Sequence, residues 1–195
     1  MTKDKNNVDL MYDHYKETCA SNRKVIEVRN KTFVLLCILQ SLSFLFAFNC
    51  KKAYELVLQA ISAKAGESLI VGQGIVQTLL WILTLYVFIR YIQSNINVER
   101  QYGYLSEVEK DLIKCGLNIN REGDYYNSNY PKILKIIDFL YKWAFPILFL
   151  IIDIVRIVVE WKYSLFNVAL LIDTVAAITI IYLISNYLYA LHSDK

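Results

Sequence analysis

The sequence contains few residues that break helices and few that build catalytic centres. Its 195 residues include six glycines, two prolines and two histidines, and the histidines lie near the two ends of the chain. Its four cysteines show no CxxC spacing, so neither a disulfide framework nor a metal site is indicated. HExxH, GxSxG and P-loop motifs are also absent. The sequence therefore predicts neither an enzyme nor a protein that needs a cofactor.

Apolar residues dominate what is present. They account for 56% of the chain and aromatic residues for 14%, with 15 tyrosines. Together with the low glycine and proline content, this composition is typical of a helical membrane protein rather than a soluble domain. We therefore expect an all-α membrane protein of about one domain, with little soluble core outside the bilayer.

Four apolar segments predict transmembrane helices, at residues 32–48, 69–92, 143–161 and 165–187. The third has tryptophan at both ends, as expected for the two membrane interfaces, and spans about 27 Å as a helix. The predicted organisation is an N-terminal cytoplasmic helix (1–31), a first hairpin with a short external loop (32–92), a cytoplasmic helix and loop (93–132), and a second hairpin with a short cytoplasmic tail (133–195).

The basic residues predict the orientation. With the N-terminus inside, the internal segments hold 16 of the 21 Lys and Arg residues and the external half holds five. This bias favours a multi-pass membrane protein with both termini in the cytoplasm.

Several polar residues fall inside the predicted membrane helices. Asp153 and Arg156 share one helix face, and Asp173 should reach a similar depth, so Arg156 could pair with either carboxylate. These charges could line an ion pathway, or they could be a buried pair that fixes the hairpin register. Gln73 and Gln77 form a polar stripe with a possible water-facing role.

Other patterns concern helix contacts. Gln40 and Ser43 lie one turn apart and predict a seam between helices. Residues 8–28 predict a helix that continues into the membrane, with Met11, Tyr15, Cys19, Asn22 and Ile26 on one face. An amphipathic helix is expected to extend the second membrane helix to Gly116, a possible C-cap. Short interfacial helices are expected at 54–61 and 133–141.

Basic and aromatic residues on the predicted cytoplasmic side could bind a phosphate-rich ligand. Positive-inside bias combined with interfacial tyrosines would give the same pattern. The candidate ligand-binding residues are Arg23, Lys24, Arg29, Arg121 and Tyr125.

The chain resembles small four-span bacterial immune effectors encoded beside nucleotidyltransferases, of which the Hailong type is one kind. The resemblance rests on the basic N-terminal helix, the charged helix after the second span, the segment Arg121-Glu122-Gly123-x-Tyr125 before Tyr130-Pro131, and Phe145-Pro146 at the start of the third span. It implies a multimeric anti-phage effector of abortive infection that depolarises the inner membrane. It also implies control by a nucleotide or single-stranded oligonucleotide from the partner nucleotidyltransferase.

Four short membrane helices do not readily enclose a pore in one copy, so a homo-oligomer is expected, with a tetramer as the leading hypothesis. Two other classes remain open. A small transporter would use similar polar stripes but usually shows internal repeats, which this sequence lacks. A membrane anchor or scaffold for a soluble partner would need only the cytoplasmic helices.

Overall fold

The computed structural model describes residues 2–65, 72–117, 119, 132–163 and 166–193, and within these ranges it contains helices and no strands. The all-α prediction is therefore confirmed. The helices are α1 (Thr2–Phe48), α2 (Cys50–Ala65), α3 (Gln73–Lys114), α4 (Lys132–Phe139), α5 (Phe145–Tyr163) and α6 (Val168–Ser193), with a π-helical turn, Leu140–Ala144, between α4 and α5.

The two longest helices join predicted polar segments to predicted membrane segments. α1 contains 47 residues and α3 contains 42. The first glycine in the sequence is Gly66 and the first proline is Pro131, so neither α1 nor α2 contains a helix-breaking residue. The predicted continuation of the N-terminal helix into the first apolar segment is confirmed, as is the extension of the second apolar segment to the region of Gly116.

Gly116 ends α3 in the way the sequence predicted. Its φ angle is 88°, in the left-handed region that glycine adopts without a Cβ clash. The Gly116 N–H donates to the Ile113 carbonyl at 3.0 Å, and the Leu117 N–H donates to the Leu112 carbonyl at 3.1 Å. These two bonds are the Schellman pattern, and they satisfy carbonyl groups that the helix end would leave unpaired.

Asparagine side chains cap the starts of two helices. Asn49 Oδ1 accepts a hydrogen bond from the Lys52 N–H at the start of α2, at 3.3 Å. Asn167 Oδ1 accepts one from the Leu170 N–H at the start of α6, at 2.8 Å. Each asparagine thus bonds to the third residue of its helix, the usual N-cap geometry.

The region before α5 contains a π turn that the sequence did not predict. A short interfacial helix at 133–141 was expected to lead to a membrane helix from residue 143, and α4 does pass through the π turn directly into α5. Pro146 is the physical reason, because it has no N–H to donate to the preceding turn. The Phe145 N–H bonds to the Leu140 carbonyl, five residues back, so the wider turn absorbs the missing donor.

Three helices, α1, α3 and α6, are long and apolar enough to cross a membrane, which indicates a membrane protein. α5, the third predicted membrane helix, is apolar along much of its length but is not among the three. Its 19 residues include four charged ones: Asp153, Arg156, Glu160 and Lys162. Three apolar spans are therefore evident. A fourth span at α5 requires that these charged side chains be shielded from lipid.

The chain forms two compact units. The first contains residues 1–32 and 90–138, where α1 and α3 run antiparallel. Its core contains Tyr15, Leu105 and Leu112, with Met11 and Cys19 packed against it. The predicted apolar faces of both helices thus meet each other.

A buried hydrogen bond lies beside this core. The Tyr15 hydroxyl donates to Glu109 Oε1 at 2.7 Å, and both residues are buried. Burial, assisted by the bond to Glu109, raises the pKa of Tyr15 well above its ordinary value. The folded first unit therefore favours the neutral, protonated form of the Tyr15 side chain.

The second unit contains residues 33–89 and 139–195. α5 and α6 form the predicted antiparallel hairpin in it, with Trp161 Nε1 donating to Thr174 Oγ1 at 3.0 Å. An aromatic cluster packs near the start of α5, where the Phe33 ring centroid lies 5.0 Å from Phe145 and 6.3 Å from Phe149. Isoleucine, leucine and phenylalanine side chains cover much of the outer surface of this unit, as expected for helices that face lipid.

Candidate functional site: a buried polar network

The second unit contains a polar network in its interior. Four charged residues are almost completely withdrawn from the surface, with exposed fractions of 0% to 6%; they are Asp153, Arg156, Glu160 and Asp173. Spacings of three and four residues place the first three on one face of α5. The apolar residues between them lie largely on the other faces, so α5 directs its charges inward.

Arg156 is the centre of the network. Its Nε donates to Glu160 Oε1 at 3.0 Å, one Nη donates to Ser43 Oγ at 2.9 Å, and the other donates to the Gln77 carbonyl at 3.0 Å. The guanidinium also stacks on Trp81, 4.1 Å from the ring centroid. One side chain therefore joins α1, α3 and α5, a role that suits the planar, multidentate geometry of arginine.

Glu160 completes this cluster. Both of its carboxylate oxygens accept a hydrogen bond from Trp81 Nε1, at 2.9 and 3.1 Å. The carboxylate is thus held by a cation and a neutral donor, as a buried ion pair requires. Arg156 was predicted to pair with Asp153 or Asp173. Its ion pair is formed with Glu160 instead.

Asp153 has a different partner. Gln40 Nε2 lies 3.2 Å from each carboxylate oxygen of Asp153, and both side chains are buried. With the bond from Arg156 to Ser43, this contact confirms that Gln40 and Ser43 form a seam with another helix. Gln40 Oε1 has no hydrogen-bond partner among the described residues.

Asp173 is the third carboxyl group. It is buried, its Oδ1 has no hydrogen-bond partner within the described ranges, and the Thr78 side chain is among the groups that act on it. The groups that act on it electrostatically include Glu160 and Arg156, and Arg156 in turn interacts with Asp153 and Asp173. Asp153, Arg156 and Asp173 therefore lie close together, as expected from their similar predicted depth in the membrane.

The network holds more acid than base. Three buried carboxyl groups share one guanidinium, and Glu160 is the one that pairs with it. Neither Asp153 nor Asp173 forms an ion pair among the described residues. The described residues contain no group of three or more His, Cys, Asp or Glu side chains placed to hold a metal ion.

The glutamine stripe lies beside the network. Gln73 Nε2 and Gln77 Nε2 lie 2.7 and 3.4 Å from Cys50 Sγ, with Gln73 exposed and Gln77 half-buried. These contacts connect α3 to the start of α2. Whether the glutamines line a conducting path stays a prediction.

The predicted ligand-binding residues are only partly described. Arg23 and Lys24 are exposed on α1 in the first unit, and Arg29 is half-buried with its guanidinium 3.3 Å from Asn30 Oδ1. Arg121 and Tyr125 lie outside the described residues. The five residues therefore stay a predicted site.

The chain matches no family model, no curated protein and no solved structure. The resemblance to four-span immune effectors thus rests on the sequence features given above. The buried polar network is therefore the structural feature that bears on function.

Two members of the network, Glu160 and Trp81, were not among the predicted site residues. A signal for Glu160 was available, because it follows Arg156 by four residues, the spacing of helical ion pairs. Trp81 had no comparable signal, since only the packing of α3 against α5 brings its indole to the carboxylate.

Proposed function

We propose that this chain is a membrane effector that assembles into a homo-oligomer and conducts ions, with Asp153 and Asp173 forming the polar part of the path. The observation that carries the proposal is that the second unit buries three carboxyl groups and only one guanidinium among its described residues. Charged residues at membrane depth are costly, and they are usually retained where ions or protons move.

The proposal includes α5 as a fourth membrane helix. Its inward-facing charges are neutralised or hydrogen-bonded within the chain, while residues such as Ile147, Leu148, Ile151, Ile154 and Val158 are exposed. A helix with this distribution can face lipid on one side and a polar interior on the other. With four spans, the count of basic residues favours two cytoplasmic termini in the inner membrane.

The expected physiological role follows from the resemblance. Ion flow through the oligomer would depolarise the inner membrane and stop growth of an infected cell. A nucleotide or single-stranded oligonucleotide, bound by Arg23, Lys24, Arg29, Arg121 and Tyr125 on the cytoplasmic side, would control it. The leading hypothesis for the assembly is a tetramer, and native mass spectrometry in mild detergent tests it directly.

A membrane scaffold is the second candidate, favoured by one observation. Arg156 is fully engaged within a single chain, by Glu160, Ser43, Gln77 and Trp81. A network whose only role is to hold helices together would show this same feature. A scaffold would leave the membrane potential unchanged.

A potential-sensitive dye distinguishes the two candidates in cells. Expression should depolarise the membrane, and co-expression with the neighbouring genes should change the extent. Asp173→Asn should reduce depolarisation at equal membrane abundance, whereas Glu55→Gln, which removes an exposed carboxylate on α2, should not. An unchanged potential at normal abundance and assembly would favour the scaffold.

A further inference from the structure

The first unit has a groove between α1 and α3 that the buried network does not involve. Its volume is about 660 Å³. Both helices contribute to its walls, α1 through residues between 21 and 28 and α3 through residues between 90 and 100. The groove therefore lies within one compact unit, between these two stretches of helix.

The groove is basic. Lys24, Arg90 and Arg100 line it, and no Asp or Glu is among its described lining residues. Neutral hydrogen-bonding groups lie between the cations, including Ser21 and Asn97. The lining thus offers positive charge and hydrogen-bond donors without an acid to compensate them.

Three other basic residues of this unit differ in this respect. Lys16, Lys31 and Lys114 each form an ion pair with an acid one turn away on the same helix, at 3.3, 2.7 and 2.8 Å. Arg90, in contrast, has one long contact among the described residues, 3.5 Å from Nη1 to Gln93 Oε1. Its charge is therefore available for an anion.

The position along the helices indicates which anion. Arg90 directly follows Ile89, in the apolar part of α3, and Val28 precedes Phe33 by five residues, about 7.5 Å along α1. The polar headgroup layer extends roughly 5–8 Å beyond the hydrocarbon on each side of a bilayer. Arg90 and Val28 thus lie at headgroup depth, with Lys24 about one turn beyond Val28 and Arg100 almost three turns, about 15 Å, beyond Arg90.

The groove also has an apolar wall, formed by Val25, Val28 and Ile96. A soluble phosphate has no apolar group that could pack against this surface. A phospholipid can pack its glycerol backbone and acyl methylenes against it. The combination of an apolar wall with basic residues at headgroup depth suits an amphiphile that carries phosphate.

We propose that this groove binds the headgroup of an anionic phospholipid from the adjoining leaflet. Arg90 contacts the phosphate at the membrane surface, Lys24 contacts the outer part of the headgroup, and Arg100 adds positive charge at the outer end of the groove. The bound lipid joins α1 to α3 where both helices leave the bilayer. The site involves no residue of the buried network, and it shares Lys24 with the nucleotide site proposed above.

Lipid retention by the full-length protein tests this site. The wild-type chain is purified into nanodiscs of phosphatidylcholine containing a titrated fraction of phosphatidylglycerol, and bound lipid is counted by native mass spectrometry after release. One variant combines Lys24→Gln, Arg90→Gln and Arg100→Gln. Its control combines Lys16→Gln, Lys31→Gln and Lys114→Gln, which removes the same formal charge outside the groove.

Wild type and control should retain phosphatidylglycerol saturably, and the groove variant should bind it about 100-fold more weakly, since each basic residue near an anionic surface contributes roughly fivefold. Circular dichroism shows whether the variants are folded. If the triple variant unfolds, Lys24→Gln and Arg100→Gln alone, both exposed positions, should each weaken retention about fivefold.

Two results would overturn the proposal. Equal lipid retention by the wild type and the groove variant places the lipid elsewhere, and equal loss in groove and control variants shows only general charge attraction. A further arm adds inorganic phosphate or a short single-stranded oligonucleotide. Displacement of the lipid by either at micromolar concentration would assign the groove to a soluble ligand.

Discussion

Arg156 and Glu160 form an ion pair one helical turn apart, with Nε 3.0 Å from Oε1 and both side chains buried. Two further groups hold the pair, because Ser43 accepts from Arg156 and Trp81 donates to Glu160. The pair therefore connects α5 to both α1 and α3. A surface ion pair at the same spacing would contribute little, whereas loss of one partner here leaves an uncompensated buried charge.

Replacing Arg156 by leucine should destabilise the protein by about 3–5 kcal/mol, because Glu160 would stay buried without its cation. Thermal unfolding in detergent, with the yield of monodisperse protein, measures this. Lys162→Leu is the control, since it removes an exposed cation from the same helix. The double variant Arg156→Leu with Glu160→Leu should recover part of the loss. Wild-type stability of Arg156→Leu would show that the pair does not hold the helices.

The Tyr15 hydroxyl makes the first unit sensitive to alkali. Its pKa is raised in the folded protein, so the stabilisation is present below the ordinary tyrosine pKa, near 10, and decreases as pH rises above it. Tyr15→Phe should remove this dependence and cost about 1–3 kcal/mol at neutral pH, because the buried Glu109 loses the hydrogen bond from this hydroxyl.

Unfolding followed between pH 7 and 11 by circular dichroism tests the role of Tyr15. Tyr12→Phe is the matched control, since that tyrosine is exposed one turn away. A parallel decline of stability in wild type and Tyr15→Phe above pH 10 would assign the alkaline transition to other groups.

Gly116 and Gly103 should respond in opposite directions to alanine. Gly116→Ala forces a Cβ into the left-handed region and should destabilise the end of α3 by about 1–2 kcal/mol. Gly103 is exposed inside α3 with no atom within 4 Å of an added Cβ, so Gly103→Ala should stabilise by about 0.5–1 kcal/mol. Urea unfolding of both variants checks the signs. The same sign for both would contradict the capping role.

Much of the architecture follows from patterns that are local in sequence. The uninterrupted α1 follows from the absence of glycine and proline in its sequence, and the Gly116 cap follows from the conformation that only glycine adopts easily. The buried face that includes Tyr15 and the seam at Gln40 and Ser43 follow from helical spacing. Each of these features depends on residues within a few turns of one another.

The details of the site required three-dimensional contacts. Glu160 adjoins Trp161, at a position where a membrane helix usually places charge toward water, so its burial depends on Trp81 from another helix. The π turn before Pro146 depends on how α4 and α5 join rather than on a periodic pattern. The partner of Arg156 likewise depends on packing, because the carboxyl groups of Asp153, Glu160 and Asp173 all lie close to it in the folded unit.

Ion flux through the purified protein tests the central claim most directly. The protein is purified from cells whose membrane its expression depolarises, and it is reconstituted into vesicles with an imposed potassium diffusion potential. Wild type, Asp153→Asn, Asp173→Asn and Glu55→Gln are compared at equal incorporation. Wild type and Glu55→Gln should dissipate the potential, and both aspartate variants should do so at least about tenfold more slowly, because each loses a group that stabilises cations in the path. Dissipation at the wild-type rate by both aspartate variants, with intact assembly, would contradict the assignment of a conducting path to this network.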